Sequence, residues 1–451
     1  MIPISFKDAA KAVGSTTVLN GSFDNICTDS RKIIPGCLFI AIPGERFDGH
    51  DYARNAIEDG AAAVLVERDC GLGDKQITVG STRKALLDLA GYYRSLFNIP
   101  VVGVTGSVGK TTTKEMIYSV LSSEYKTLKN EGNLNNEIGV PLTLFRLDSS
   151  YEAAVIEMGM SGFGEISRMT KAVKPCIGVI SNIGVSHIEK LGSREGILKA
   201  KLEITDGMTP GTPLILNGDD DMLSGITAPD YEIITFGLNN SCAYKALDIT
   251  SKDDTTVFTC SCVGGPVQGR LPFTGRHNVY NALSAIAVGE AVHIPASKAM
   301  KALENYKTTG LRQKIERIDG ITLIEDCYNA SPDSQKAAMT VLGNMAAQRR
   351  IAVVGDMLEL GDYSEKAHSL VGRYAFENDV DILFTYGGQS EITARVAKEC
   401  GVGDVRIFDD KSTLTADLAH TVREGDAVLF KASRGMKLED VIDGLINSLH
   451  K

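Results

Sequence analysis

No stretch of this chain approaches the roughly 18 uninterrupted apolar residues of a membrane-spanning helix, and no excess of basic residues marks it for a polyanion. Its 57 acidic against 47 basic side chains leave a formal charge of −10, which argues against general binding to nucleic acid or to an anionic membrane surface. An anionic ligand would therefore have to be held by local basic residues and by metal. The opening MIPISFKDAAKAVG lacks the charged, apolar and cleavage-site sequence of a secretory leader; it reads as a short helix capped by Ser5, with Asp8 three residues on. Cysteine pairs are missing too. The nine cysteines are odd in number and form no C-x-x-C, Cys260 and Cys262 being the nearest, so reduced thiols in a cytoplasmic protein are the simplest reading, ahead of a zinc site or a disulfide framework. No low-complexity tract, long linker or internal repeat divides the chain.

What is present is ordinary globular sequence, 43% hydrophobic and 23% charged over 451 residues, enough for about three domains at roughly 150 residues each. The chain is organised around residues 100 to 113, PVVGVTGSVGKTTT. The apolar run Val101, Val102, Val104 fits a buried parallel strand, and Met116, Ile117, Val120 and Leu121 recur at helical spacing after it. Strand, glycine turn and helix are the parts of a phosphate cradle. Gly106 and Gly109 let backbone N–H groups turn inward, the helix start adds positive dipole, Lys110 reaches terminal phosphates, and Thr111 suits Mg²⁺. The usual spacing would put a third glycine where Val104 stands, so a glycine turn ahead of an ordinary capped helix is the alternative.

The fold class expected is α/β in three domains: a small α/β N-terminal domain (1–82), a central P-loop parallel-sheet domain (83–311) and a C-terminal Rossmann-like, doubly wound domain (312–451). In the first, Thr28-Asp29-Ser30-Arg31 and the loop Gly44 to His50 offer hydroxyls, arginines and backbone to a phosphate or sugar; a capped turn with a solvated charge pair explains the same residues. In the second, Glu157 closes the strand AAVIE, where parallel sheets place ligand-facing groups, within reach of a cation on Thr111. His187 follows the strand CIGVIS and is a candidate second metal ligand. Lys199 and Lys201 lie on the helical pattern 197 to 208, and from residue type alone both are solvated. Asn278 and Asn281 stand near the start of the amphipathic helix 275 to 292, where amides can meet a base edge. The third domain alternates apolar runs (318–326, 349–357, 381–387, 426–433) with helical patterns, which predicts a doubly wound sheet. With no linkers, function falls in the clefts between domains.

Ten segments in order, among them TDSR, GVTGSVGKTTTKE, EGNLNNEIGVP, IEMGMSGFGEI, NIGVSHIEKLGS, GRHNVYNA, DCYNASPDS and KASRGMKLE, make the whole chain resemble the Mur ligases, ATP-dependent amide-forming enzymes of peptidoglycan synthesis. The resemblance implies two small-molecule substrates, a UDP-N-acetylmuramoyl-tripeptide and D-alanyl-D-alanine, in a cytoplasmic monomer that touches neither nucleic acid nor membrane. It implies ATP phosphates wrapped by Gly106, Ser107, Val108, Gly109, Lys110, Thr111 and Thr112, one Mg²⁺ on Thr111 and Glu157, and a second on His187. It makes Lys201 a lysine carried as a carbamate, an anionic oxygen ligand in place of an ammonium that would repel the cation. Asn278 and Asn281 fall on the adenine side, and Arg312, Asp326 and Asn329 close over ribose and phosphates. Ser331 stands where the family usually keeps asparagine and is left out. Thr28, Ser30 and Arg31 match the region that receives the UDP end, and Lys431, Ser433 and Arg434 the neighbourhood of the incoming dipeptide. The catalytic set is then Lys110, Glu157, His187 and Lys201. Two rivals are the family member adding the third amino acid, whose pattern has Asp where this chain has Ser186, and a P-loop phosphotransferase.

Overall fold

Val101, Val102 and Val104 are fully buried because the strand Val101–Thr105 lies inside a nine-stranded sheet, covered on both faces. From one edge its order is Thr127–Lys129, Ala153–Glu157, Val101–Thr105, Ile177–Ile180, Pro213–Asn217, Glu232–Gly237 and Tyr244–Lys252, all parallel to their neighbours, followed by Thr255–Ser261 and Val267–Leu271, which run antiparallel. Alternate residues feed two cores. Val101, Ala154, Ile156 and Ile180 enter one, and Val102, Val104, Val155 and Val179 the other, as a sheet buried on both faces requires. Val104 pairs with Glu157 on one side and Val179 on the other. The position that lacks the customary glycine is thus strand interior, where none is needed. In this computed structural model the structure describes residues 1–252, 255–307 and 313–449.

The N-terminal unit is a four-stranded parallel sheet, Ile26–Cys27, Leu38–Ile40, Ala63–Val66 and Gln76–Thr78, with a two-stranded ribbon, Ile4–Ser5 and Ser22–Phe23, beside it. Ser5 caps the first helix by accepting from Asp8 N at 3.0 Å. Leu38, Ile40, Leu65 and Ile77 share one apolar cluster with Leu86, Leu89 and Tyr93 of the helix Thr82–Arg94 and with Ile166 and Met169 of the central unit. Tyr93 Oη donates to Leu147 O at 2.6 Å and accepts from Ile2 N at 2.8 Å, so two units are joined through one buried phenol.

The C-terminal sheet runs Lys314–Ile318, Ile321–Glu325, Asp426–Lys431, Arg349–Gly355, Ile382–Tyr386 and Asp404–Phe408, parallel except for its first strand. Helices cover both faces over two cores, the doubly wound arrangement expected. Two details differ from the sequence reading. The run 318 to 326 is half of a hairpin whose turn is Asp319 (φ +48) and Gly320 (φ +76), a two-residue turn that takes Asp-Gly because both positions need positive φ. The helical pattern 197 to 208 likewise is α-helix only over Arg194–Leu202, before a tighter turn, Glu203–Gly207.

Candidate active site

The carboxyl ends of three adjacent strands meet at one cleft. After Val101–Thr105 the chain turns through Gly106 to Gly109 and enters the helix Lys110–Leu121, with Gly109 as its left-handed cap (φ +79). The loop leans on the next strand's exit. Val108 N donates to Asn182 Oδ1 at 2.9 Å and Ser107 N to Asn182 O at 3.0 Å, while Asn182 Nδ2 and Ser181 Oγ each donate to Val108 O at 2.8 Å. A Cβ on Gly106 would overlap Ser181 Oγ, so only glycine lets the loop come that close. These bonds occupy the N–H groups of Ser107 and Val108. The N–H groups at the start of the helix have no intrahelical acceptor, the feature that suits a helix start to an anion. Lys110 Nζ arches back over the loop to Gly106 O (2.9 Å) and Ser107 O (3.3 Å).

Glu157, 1% exposed, ends the neighbouring strand. Its Oε2 accepts from Thr111 Oγ1 at 2.9 Å and its Oε1 from Asn135 Nδ2 at 2.8 Å. Asn130 clamps its backbone from both sides, accepting from Glu157 N and donating to Glu157 O, each at 2.9 Å. A buried carboxylate needs a counter-charge, and Lys114 supplies one: its Nζ is 4.0 Å from Glu157 Oε2, 3.0 Å from Glu115 Oε1 and donates to Asn130 O at 2.8 Å. Glu115 also pairs with Lys129.

His187 follows the third strand and holds a positive φ of +63. Burial and then the charge of Lys110 keep its imidazole below its ordinary pKa, so it is a neutral ring at pH 7. Lys201, on the helix Arg194–Leu202, is 2% exposed. This overturns the solvated reading: the helix turns this lysine inward, and burial, with Lys110 nearby, pushes its pKa well below that of an ordinary lysine. No hydrogen bond or ion pair reaches its amine among the described residues.

A cavity of about 440 Å³ is lined by Ser107 to Thr112, Glu157 and His187 on one side and by Asp326, Asn329 and Lys431 on the other, with Asn278 and Asn281 at its flank. Thr113 Oγ1 donates to Asn281 Oδ1 at 3.0 Å, linking the loop helix to Arg276–Ala291, and Asn278 Nδ2 donates to Gln313 Oε1 at 2.8 Å. Lys431, 2% exposed, gives its three protons to Asp326 Oδ2 (2.6 Å), Asp326 O (3.2 Å) and Asn329 O (3.1 Å). Ser331 also lines the cavity and caps the helix Pro332–Gly343.

Not every expected residue comes to this cleft. Arg312 lies outside the described residues. Ser433 and Arg434 do not line it: Ser433 Oγ accepts from Leu358 N at 3.0 Å, and Arg434 pairs with Glu439 at 2.7 Å. Thr28, Ser30 and Arg31 sit on the N-terminal unit, away from the lining, and Arg31 forks onto Asp29 (2.8 and 2.9 Å), whose pKa it lowers to about 2. In the Gly44 to His50 loop, Asp48 accepts from His50 and, from outside the loop, from Arg68, so the expected charge pair lies within its own turn at Asp29 and Arg31 but not here. Asn130, Asn135, Asn182 and Lys114 are the groups the sequence reading passed over. Asparagine-rich EGNLNNE was visible; which amides face Glu157 was not.

A cleft of this shape belongs to nucleotide-binding proteins that hold phosphates on a P-loop and bring a second α/β domain against it. Three family profiles match the chain in order: Mur ligase family, catalytic domain, over residues 22–94; Mur ligase middle domain over 104–289; and Mur ligase, glutamate ligase domain, over 312–434. UDP-N-acetylmuramoyl-tripeptide–D-alanyl-D-alanine ligase of Bacillus subtilis is 39% identical over 99% of each chain. The crystal structure of MurF from Acinetobacter baumannii aligns with a TM-score of 0.92 at 32% identity, covering 99% of both chains. MurF ligase from Thermotoga maritima, solved in complex with ADP, aligns at 0.87 and 29% identity over 94% of this chain and 98% of that one. The chain belongs to the Mur ligase family.

Proposed function

We propose that this protein joins D-alanyl-D-alanine to a UDP-N-acetylmuramoyl-tripeptide, converting ATP to ADP and phosphate, in the cytoplasmic synthesis of peptidoglycan precursors. The observation that carries the reading is the convergence of Lys110, Thr111, Glu157 and His187 on one cleft faced by Asp326 and Lys431, in a chain similar over its full length to ligases of that name. The N-terminal unit takes the UDP end through Thr28, Ser30 and Arg31. The central unit takes ATP, and the C-terminal unit brings the dipeptide, with Lys431, Ser433 and Arg434 nearest to it.

The reaction solves a leaving-group problem. The terminal carboxylate of the tripeptide attacks the γ-phosphorus, the bond to the β-phosphate oxygen breaks, and ADP departs, leaving an acyl phosphate. The dipeptide amine attacks the acyl carbon, loses a proton, and phosphate leaves with the carbon–oxygen electron pair. Lys110 exchanges its loop carbonyls for β- and γ-oxygens, placing its charge where negative charge crowds. Asn278 and Asn281 meet the adenine, and Arg312, Asp326 and Asn329 the ribose and phosphates. The C-terminal unit keeps water from the acyl phosphate.

The donor set fits two Mg²⁺ ions. Thr111 Oγ1 and Glu157 Oε2, already 2.9 Å apart, are hard oxygen ligands for one. His187 and Lys201 would hold the other. A buried amine with no partner is poorly placed as an ammonium, whereas its carbamate is an anionic oxygen ligand. The ions, when bound, neutralise the triphosphate against the incoming carboxylate. Among the described residues no three His, Cys, Asp or Glu side chains cluster as a ready metal cage, so phosphate oxygens would be needed beside Thr111 and Glu157 for the first ion, and beside His187 and the carbamate for the second.

The deciding experiment is ADP release by the purified protein with candidate UDP-muramoyl peptides, each offered with D-alanyl-D-alanine and with single amino acids. Turnover with the tripeptide and dipeptide together, with free phosphate formed, is expected. Turnover with a dipeptide nucleotide and a single amino acid would assign the rival ligase, and phosphate retained on a product a phosphotransferase.

A further inference from the structure

Glu359 and His187 come from different domains and meet at their border. Glu359 follows the strand Arg349–Gly355 of the C-terminal sheet, and its Oε2 stands 2.7 Å from His187 Nδ1. Nδ1 is buried; the carboxylate meets the distance for a hydrogen bond but not its angle, and no other polar atom serves that nitrogen among the described residues. Both residues hold positive φ, +63 for His187 and +62 for Glu359, a conformation that non-glycine residues keep only where their surroundings impose it.

The contact is part of a broader seat. Two residues past Glu359, Gly361 packs so closely on Glu189 that a Cβ would lie 3.0 Å from Glu189 Cγ. Glu189 is in the one-turn helix Ile188–Leu191 that His187 begins. From another direction, Gly184 is wedged between Ser107 of the phosphate loop and Asp333 of the C-terminal domain, where a Cβ would overlap Asp333 Oδ2. The loop bearing His187 is held by the C-terminal domain at both ends. A plain surface ion pair is the competing account, since Glu359 is 59% exposed and such pairs contribute little. It does not account for left-handed backbone on both partners or for a buried Nδ1 with nothing else to bond.

We propose that Glu359 is a positioning residue for His187. By accepting the Nδ1 proton it presents a neutral Nε2 to the cleft, so that this cation position is complete only when the C-terminal domain has come down. The inference rests on His187 being a cation ligand, as in the function proposed above. A carboxylate behind a ligating imidazole fixes its tautomer and raises its basicity, and losing one lowers metal affinity about 10- to 100-fold.

The test combines the Mg²⁺ dependence of ADP release by Glu359→Ala, Glu359→Gln and His187→Ala with ¹⁵N-imidazole spectra of the ADP-bound protein, His187 being identified by its loss in His187→Ala. The half-saturating Mg²⁺ concentration should rise about tenfold in Glu359→Ala and change little in Glu359→Gln, whose amide oxygen still accepts. The His187 signal should move from the Nδ1–H to the Nε2–H form in the alanine variant alone. Normal Mg²⁺ dependence and an unshifted tautomer in Glu359→Ala, beside a damaged His187→Ala, overturn the proposal and leave the ligase reading standing. A normal Mg²⁺ response in His187→Ala overturns the assignment of His187 itself. Should Glu359→Ala fail to fold, the unsubstituted protein decides, because an Nε2–H tautomer there contradicts the proposal.

Discussion

Thr111 Oγ1 donates to Glu157 Oε2 across 2.9 Å, although 46 residues separate them in the chain. The hydroxyl is set by the first turn of the helix that follows one strand, and the carboxylate by the last residue of the strand beside it. Two backbone bonds from Asn130 fix the strand end, so the pair is held in place by the protein's own hydrogen bonds. Preorganisation of this kind places ligands without reorganisation during reaction.

Lys110→Ala and Glu157→Gln are each predicted to lower dipeptide-dependent ADP formation at least about a thousandfold, roughly 4 kcal/mol of barrier, with circular dichroism unchanged. Lys110 bonds loop carbonyls that solvent can serve, and a glutamine in place of Glu157 keeps the size of the native side chain. Turnover within tenfold of the parent in either variant would sink the assignment.

Lys201→Met should abolish activity while raising thermal stability near pH 7 in carbonate-free buffer. The sign follows from linkage. The folded pKa lies far below the unfolded value, so between the two the unfolded chain binds more protons and stability rises with pH. The native lysine is therefore a burden at neutral pH that vanishes only above its unfolded pKa, and methionine removes it. Differential scanning calorimetry from pH 6 to 10 checks this; a stability gap between the two proteins that does not narrow as pH rises contradicts it.

Gly106→Ala should weaken ADP binding at least tenfold, because its Cβ must displace Ser181 Oγ, which donates to Val108 O. Calorimetric titration of ADP measures the loss. Adding Ser181→Gly to the variant should recover part of it, and failure of any recovery would place the damage elsewhere.

Asp326→Ala leaves the buried Lys431 ammonium with only two carbonyl acceptors. Stranding a buried charge costs about 3 kcal/mol, read as a lower urea midpoint for the C-terminal domain. The double variant Asp326→Ala, Lys431→Met should regain most of that stability but not activity. An unchanged midpoint in the single variant would show that the pair carries no stability.

The sequence was most informative where chemistry is local. Lys110 and Thr111 follow a glycine turn within one short segment, and Glu157 ends an unbroken apolar strand, so each could be placed without knowing what lies opposite. Lys201 is the contrary case: on a helix, burial depends on which face the rest of the molecule covers, and only the family resemblance set it apart. Asn130, Asn135 and Asn182 act through loops whose paths depend on distant partners. The hairpin at Asp319 and Gly320 went unread although its dipeptide was present, because the apolar run continued past it.

The strands that lead to Lys110, Glu157 and His187 end in register, Val104 opposite Glu157 and Thr105 opposite Ile180. A slip of one rung would carry the carboxylate about 3.3 Å along its strand and turn it to the other face, so no intermediate arrangement remains weakly competent. On heating, turnover should vanish no later than the point at which this sheet comes apart, whatever structure the flanking domains still hold.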